Sequence, residues 1–163
     1  MTGKNNGITR RDFLGTSGAL GAGALLASSP FSLAMGSTRK KRLVLVGTGV
    51  RGTSFWGKFI RENYSDVAEF VGLCDINPGR LEFAKSYIGV PDCPVFENFD
   101  EMIAAVKPDL VMVTTVDNTH DEFIVKSLNA GIDVVTEKPM TTTAGKCQSS
   151  VDAARTASAQ LIM

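Results

Sequence analysis

Histidine is nearly missing from this chain: His120 is the only one in 163 residues. Cysteine is scarce, and Cys74, Cys93 and Cys147 show neither C-x-x-C spacing nor a histidine cluster beside them. That composition argues against a zinc site, and no metal is expected. An odd cysteine count also argues against a disulfide framework, which leaves three structural thiols. Net charge is absent too, with 17 Lys and Arg balancing 17 Asp and Glu. Nothing global therefore points to nucleic acid or to an anionic membrane surface. No apolar run is long enough for a stable membrane span of about 20 residues. What is present, 44% hydrophobic and 21% charged residues, describes an ordinary globular protein of one domain, or one domain plus an appendage.

The appendage is the N-terminus. A polar start containing Lys4 leads to Thr9-Arg10-Arg11-Asp12-Phe13-Leu14, then to a weakly apolar, glycine- and alanine-rich stretch from Gly15 to Ala27. Ser32-Leu33-Ala34 offers small residues where a signal peptidase reads. Charged, apolar, cleavable is the order of a secretory signal. The paired arginines before Phe-Leu resemble a bacterial twin-arginine export signal, a route known for passing folded proteins. Residues 1–34 are read as that signal and 35–40 as a linker. The mature protein is then expected outside the cytoplasm, in the periplasm.

The stretch that organises the remainder is Leu43-Val44-Leu45-Val46-Gly47-Thr48-Gly49-Val50-Arg51-Gly52, a buried-strand pattern running into G-x-G-x-x-G. In the dinucleotide-binding form of this motif Gly47 permits the tight turn. Gly49 admits the backbone to a pyrophosphate, and Gly52 lets the next helix pack against the strand. Val50 lies inside the turn. The N–H groups of that helix start face the phosphates with the positive end of the helix dipole behind them. Arg51 either flanks the pyrophosphate or is an exposed helix-start arginine.

Strand and helix patterns then alternate. A helix over Gly52–Asn63 is predicted to place Phe55, Trp56, Phe59 and Ile60 on one apolar face. A strand spans Glu69–Asp75, and a helix opens at Pro78-Gly79 and ends at Gly89. Val95-Phe96 forms a short strand. Asn98 with Glu101 has capping-box spacing for a helix stopped by Pro108. A strand covers Leu110–Val113, and Thr119 with Glu122 repeats the capping-box spacing for a helix running to Asn129, with Gly131 as its left-handed cap. A strand follows at Ile132–Val135, then a helix from Thr142 or Thr143 towards Ala157. The strands are continuous apolar runs, as in a parallel sheet covered on both faces. The fold class is therefore α/β, a doubly wound Rossmann domain over 41–163. Gln160-Leu161-Ile162-Met163 opens one more strand, so the chain reads as the N-terminal part of a longer protein.

Asp75 ends the second strand about 20 residues after the glycine turn, where the motif expects an acid on the adenine ribose hydroxyls. A carboxylate there favours NAD over NADP, although Arg80 lies close enough in sequence to accommodate a 2′-phosphate.

Gly47-Thr48-Gly49-Val50-Arg51-Gly52, Cys74-Asp75, Thr114-Thr115-Val116-Asp117-Asn118-Thr119-His120 and Glu137-Lys138-Pro139 fall in the order and spacing of the Gfo/Idh/MocA oxidoreductases. From Lys41 to Met163 the chain resembles that family's N-terminal nucleotide-binding domain. The resemblance implies that Lys138 is the catalytic proton donor or acceptor between the nicotinamide and a sugar-like substrate. Glu137 would then position the lysine or the nicotinamide ribose. Thr115 and Asp117 would lie near that ribose, with Asp117 an acid where the family commonly has an amide. His120 matches the family's histidine at the next helix start, as a cap or packing residue or as a ligand contact, but not as a catalyst. The resemblance further implies a substrate domain after Met163 and a homo-oligomer at full length. Two alternatives stay open. One is a glycosidase branch of the same family that keeps NAD and oxidises the sugar only transiently. The other is a nucleotide-binding domain without catalysis.

Overall fold

The computed structural model describes residues 39–163. The signal (1–34) and most of the linker lie outside the described residues. Six strands form one sheet in the order β3-β2-β1-β4-β5-β6, and every pairing is parallel. They are β1 (Lys41–Val46), β2 (Ala68–Cys74), β3 (Val95–Phe96), β4 (Leu110–Val113), β5 (Asp133–Thr136) and β6 (Leu161–Ile162). This is the doubly wound order expected. It puts the reversal of strand order between β1 and β4, where such sheets leave a crevice at the carboxyl ends of the strands.

Both faces of the sheet are covered, and the pleat decides which residue goes where. Leu43, Leu45, Leu73 and Met112 face one layer with Leu81, Ala84 and Ile88 of helix α2 (Pro78–Ile88). Val44, Val46, Val111, Val113 and Val134 face the other, with Met102 of α3 (Phe99–Val106) and with Ile124 and Leu128 of α4 (His120–Asn129). The strand apolar runs are unbroken because neither face meets water. A last helix, α5 (Ala144–Thr156), begins at Thr143, whose hydroxyl accepts from Lys146 N–H.

Several expected ends are built as read. Gly89 and Gly131 adopt left-handed backbone, and the Asn98 side chain caps α3 by accepting from the N–H groups of Asp100 and Glu101. Two expectations are corrected. The helix after the glycine turn is not a plain amphipathic helix. Arg51–Lys58 is π-helical and continues as α1 (Phe59–Asn63). Its buried positions are Gly52, Thr53 and Gly57, while Phe55 and Phe59 are about half exposed and only Trp56 and Ile60 pack partly inside. The wider winding turns the small residues inward, and Gly57 sits so close to Ile88 of α2 that a Cβ there would fall 2.4 Å from its Cδ1. The Thr119 cap is also not formed. A short 3₁₀ turn, Asp117–Thr119, already leads into α4, and the Thr119 hydroxyl goes instead to Thr115 Oγ1 and to the Val116 carbonyl.

Candidate functional site

The crevice is built outward from the end of β1. Gly47 takes φ +90° and its N–H donates to the Cys74 carbonyl, which closes the turn against β2. A Cβ at Gly47 would stand 2.6 Å from Thr115 N, and one at Gly52 would stand 2.3 Å from the Gly47 carbonyl oxygen. Both glycines are thus demanded by the protein itself. Gly49 is different: nothing lies within 4 Å of a Cβ placed on it. Its bare backbone and the 85%-exposed Val50 beside it border open space at the mouth of a helix whose first N–H groups have no intrahelical acceptor.

Two hydroxyl residues missed in the sequence lock this turn. Thr48 donates from both its N–H (2.8 Å) and its hydroxyl (3.0 Å) to Asp75 Oδ2. Thr114, at the end of β4, donates to the carbonyl of Gly47 at 2.6 Å. A hydroxyl directly after the first glycine and another at the end of the paired strand were the available signals. Asp75 is buried, with Asn77 N–H on its Oδ1 at 3.0 Å. A carboxylate has about four acceptor positions; these three donors leave capacity on Oδ1. Burial, with Asp75 alongside adding to it, pushes the neighbouring Cys74 thiol up to about 11, so Cys74 is an inert core thiol at neutral pH.

These residues open onto a cleft of about 630 Å³ across the carboxyl ends of β1, β2 and β4. Of the residues expected at a site, Gly47, Gly49, Val50, Arg51, Asp75 and Thr115 line it. Gly52, Asp117, His120, Glu137 and Lys138 do not. Gly52 lies behind the turn, and Asp117 is exposed on the 3₁₀ turn.

The segment after β5 is held at one rim of the site. Glu137 Oε1 accepts from Arg51 Nε and from Trp56 Nε1, each at 2.6 Å. Burial pushes the Glu137 carboxyl up, but these two donors and the guanidinium charge outweigh it and hold the group below the usual carboxylate range. Arg51 also lies over the Phe55 ring, 3.9 Å from its centroid. The peptide Lys138–Pro139 is cis, and Lys138 is exposed. His120 is 1% exposed, with Nδ1 3.0 Å from the Pro139 carbonyl and Nε2 3.0 Å from the Thr115 carbonyl. It therefore packs the start of α4 against the loops after β4 and β5, with both ring nitrogens turned towards carbonyl oxygens inside the protein. Among the described residues no three His, Cys, Asp or Glu side chains gather as a metal site would require, and no helix is long and apolar enough to cross a membrane.

A family model described as an oxidoreductase family with an NAD-binding Rossmann fold matches residues 41–163, and the signal sequence of the twin-arginine translocation pathway matches residues 7–27. YteT of Bacillus subtilis is 41% identical over 106 residues, covering 63% of this chain and 25% of that protein. An inositol 2-dehydrogenase of Agrobacterium fabrum is 33% identical over 111 residues, covering 66% of this chain and 33% of that protein. The crystal structure of the WlbA dehydrogenase from Chromobacterium violaceum, in complex with NADH and UDP-GlcNAcA, superposes with a TM-score of 0.68 at 32% identity. It matches 76% of this chain and 34% of its own. The chain thus spans a quarter to a third of the length of these relatives.

Proposed function

Because this chain belongs to the Gfo/Idh/MocA oxidoreductases, through their NAD-binding Rossmann domain, we propose that it holds NAD along the cleft and serves hydride transfer at a hydroxyl carbon of a sugar or polyol. The observation that carries this is the open backbone at Gly49, next to a buried Asp75 with unused acceptor capacity. The turn N–H groups from Gly49 to Gly52 take the diphosphate, with Arg51 at its edge. Asp75 accepts from the adenine ribose hydroxyls and repels a 2′-phosphate, which favours NAD over NADP. Thr115, which lines the cleft, is the contact for the nicotinamide ribose, with Asp117 following on the exposed 3₁₀ turn outside the cleft lining.

The chemistry NAD supplies when bound is acceptance of a hydride. Lys138 supplies the complementary proton transfer: its Nζ takes the proton of the substrate hydroxyl on oxidation and returns it on reduction. The inositol and UDP-sugar compounds named for the relatives are the reason for choosing a polyol or sugar as the substrate class. Substrate contacts then come from a further domain, and the full-length protein is a homo-oligomer. The twin-arginine signal carries the folded protein out of the cytoplasm, to the periplasm.

Mass spectrometry of the purified full-length protein tests the cofactor. NAD should be retained by the wild type, and Asp75→Ala should weaken its binding by about tenfold or more, the worth of charge-assisted hydrogen bonds to a carboxylate. Wild type that neither retains nor takes up NAD would sink the reading. Product formed without net change in NAD would move the protein to the transient-oxidation alternative. For export, a reporter fused to residues 1–36 should stay inside when Arg10→Lys and Arg11→Lys are combined. Continued transport would remove the twin-arginine route.

A further inference from the structure

Arg51 and Trp56 are five residues apart. In an α-helix that separation points two side chains about 140° apart around the axis. The wider winding of a π-helix, with its i→i+5 hydrogen bonds, turns each residue through a smaller angle and so brings i and i+5 much closer together around the axis. Because Arg51–Lys58 is wound this way, both side chains reach the same oxygen, Glu137 Oε1, at 2.6 Å. The Glu137 backbone is held as well, its N–H donating to the Val113 carbonyl at 3.1 Å. On the other side of Lys138, the Pro139 carbonyl faces the buried His120 ring at 3.0 Å. Lys138 is thus an exposed residue between two anchored neighbours.

We propose that Trp56 and Arg51 are positioning residues for Lys138: the π-helical turn clamps Glu137 and so fixes the backbone from which the lysine reaches the nicotinamide end of the cleft. This rests on the role given to Lys138 above. The clamp also joins the two halves of the site mechanically, since the turn that takes the diphosphate and the segment that carries the proton group share one carboxylate. Trp56 does not line the cleft; it acts only through Glu137.

The test is acetylation of Lys138 by acetic anhydride in the full-length protein. Mass spectrometry follows the label against the exposed Lys40, with and without saturating NAD, and calorimetry measures NAD affinity separately. In the wild type NAD should slow Lys138 labelling by about tenfold, whereas in Trp56→Phe it should slow it by about twofold or less, because a hydrogen bond to a charged group is worth about tenfold. NAD affinity of that variant should stay within about threefold of the wild type. Glu137→Ala should likewise cut the protection of Lys138 at saturating NAD to about twofold or less, and gives the same reading if Trp56→Phe does not fold. Glu137→Gln, which keeps an oxygen acceptor of equal reach, should restore most of the protection. Wild-type protection in an NAD-saturated Trp56→Phe or Glu137→Ala overturns the clamp and leaves the cofactor reading standing. A wild type that takes up no NAD overturns the cofactor reading and the clamp with it.

Discussion

Two glycines of one motif are asked for by different masters. At Gly47 a methyl group would collide with backbone and force a positive φ on an alanine, so Gly47→Ala should destabilise the fold by about 2–4 kcal/mol. At Gly49 there is room and no positive φ, so Gly49→Ala should leave stability within about 1 kcal/mol of wild type, even slightly higher through the unfolded chain. NAD affinity should nevertheless fall by about tenfold, because the methyl occupies the space the diphosphate needs. Urea unfolding and calorimetry on the pair decide it. Equal effects of both substitutions on unfolding, or unchanged affinity in Gly49→Ala, would remove the argument that the turn is shaped for a ligand.

Among the elements, strands and caps were legible and helix winding was not. Continuous runs such as Leu110–Val113 announce a strand buried on both faces, and that strand appears with those bounds. Asn98 announces a cap and makes it, so Asn98→Ala should cost about 1 kcal/mol while Asn98→Asp should cost little. Chemical denaturation of the two variants checks this, and equal losses would show that the side chain does something other than cap. Thr119 carried the same spacing but lost the role, because a preceding 3₁₀ turn is a tertiary outcome that local spacing does not encode. The π winding after Gly52 was hidden for a related reason. Helical periodicity assumes 3.6 residues per turn and so turns Phe55 and Phe59 inward, whereas both are about half exposed. The same assumption separated Trp56 from Arg51 and concealed their shared partner. For the cleft, Gly47, Gly49, Asp75 and Thr115 were legible as motif and line it together, while Gly52 lies behind the turn. Thr48 and Thr114 were not, since their hydroxyls matter only once the turn has closed.

At the scale of the molecule, three carboxylates tie remote parts of the chain together. For Asp109, burial works upward, but the Arg42 N–H and the Arg39 guanidinium prevail and hold it below its ordinary value. Asp133 is lowered by Lys41 and by the Gln160 N–H, and Glu137 by Arg51 and Trp56 against the upward push of burial. A carboxylate with a depressed folded value contributes stability above its unfolded pKa, about 4, and loses that contribution as pH falls through the folded value. Urea midpoints should therefore stay level from about pH 7 to 5 and drop below about pH 4. Asp109→Asn with Asp133→Asn should be less stable than wild type at neutral pH, and the gap should narrow in acid. A gap of constant size would show that these pairs do not titrate with folding. The strand order carries a consequence of another kind. β1 lies in the middle of the sheet, yet Thr114, whose hydroxyl also reaches the Val46 carbonyl, comes 68 positions later. During synthesis the central strand therefore waits with one side unpaired until more than half of the domain has left the ribosome. Refolding must close that long loop before the sheet can be completed, so refolding of this domain should be slow for its size, as stopped-flow measurement would check.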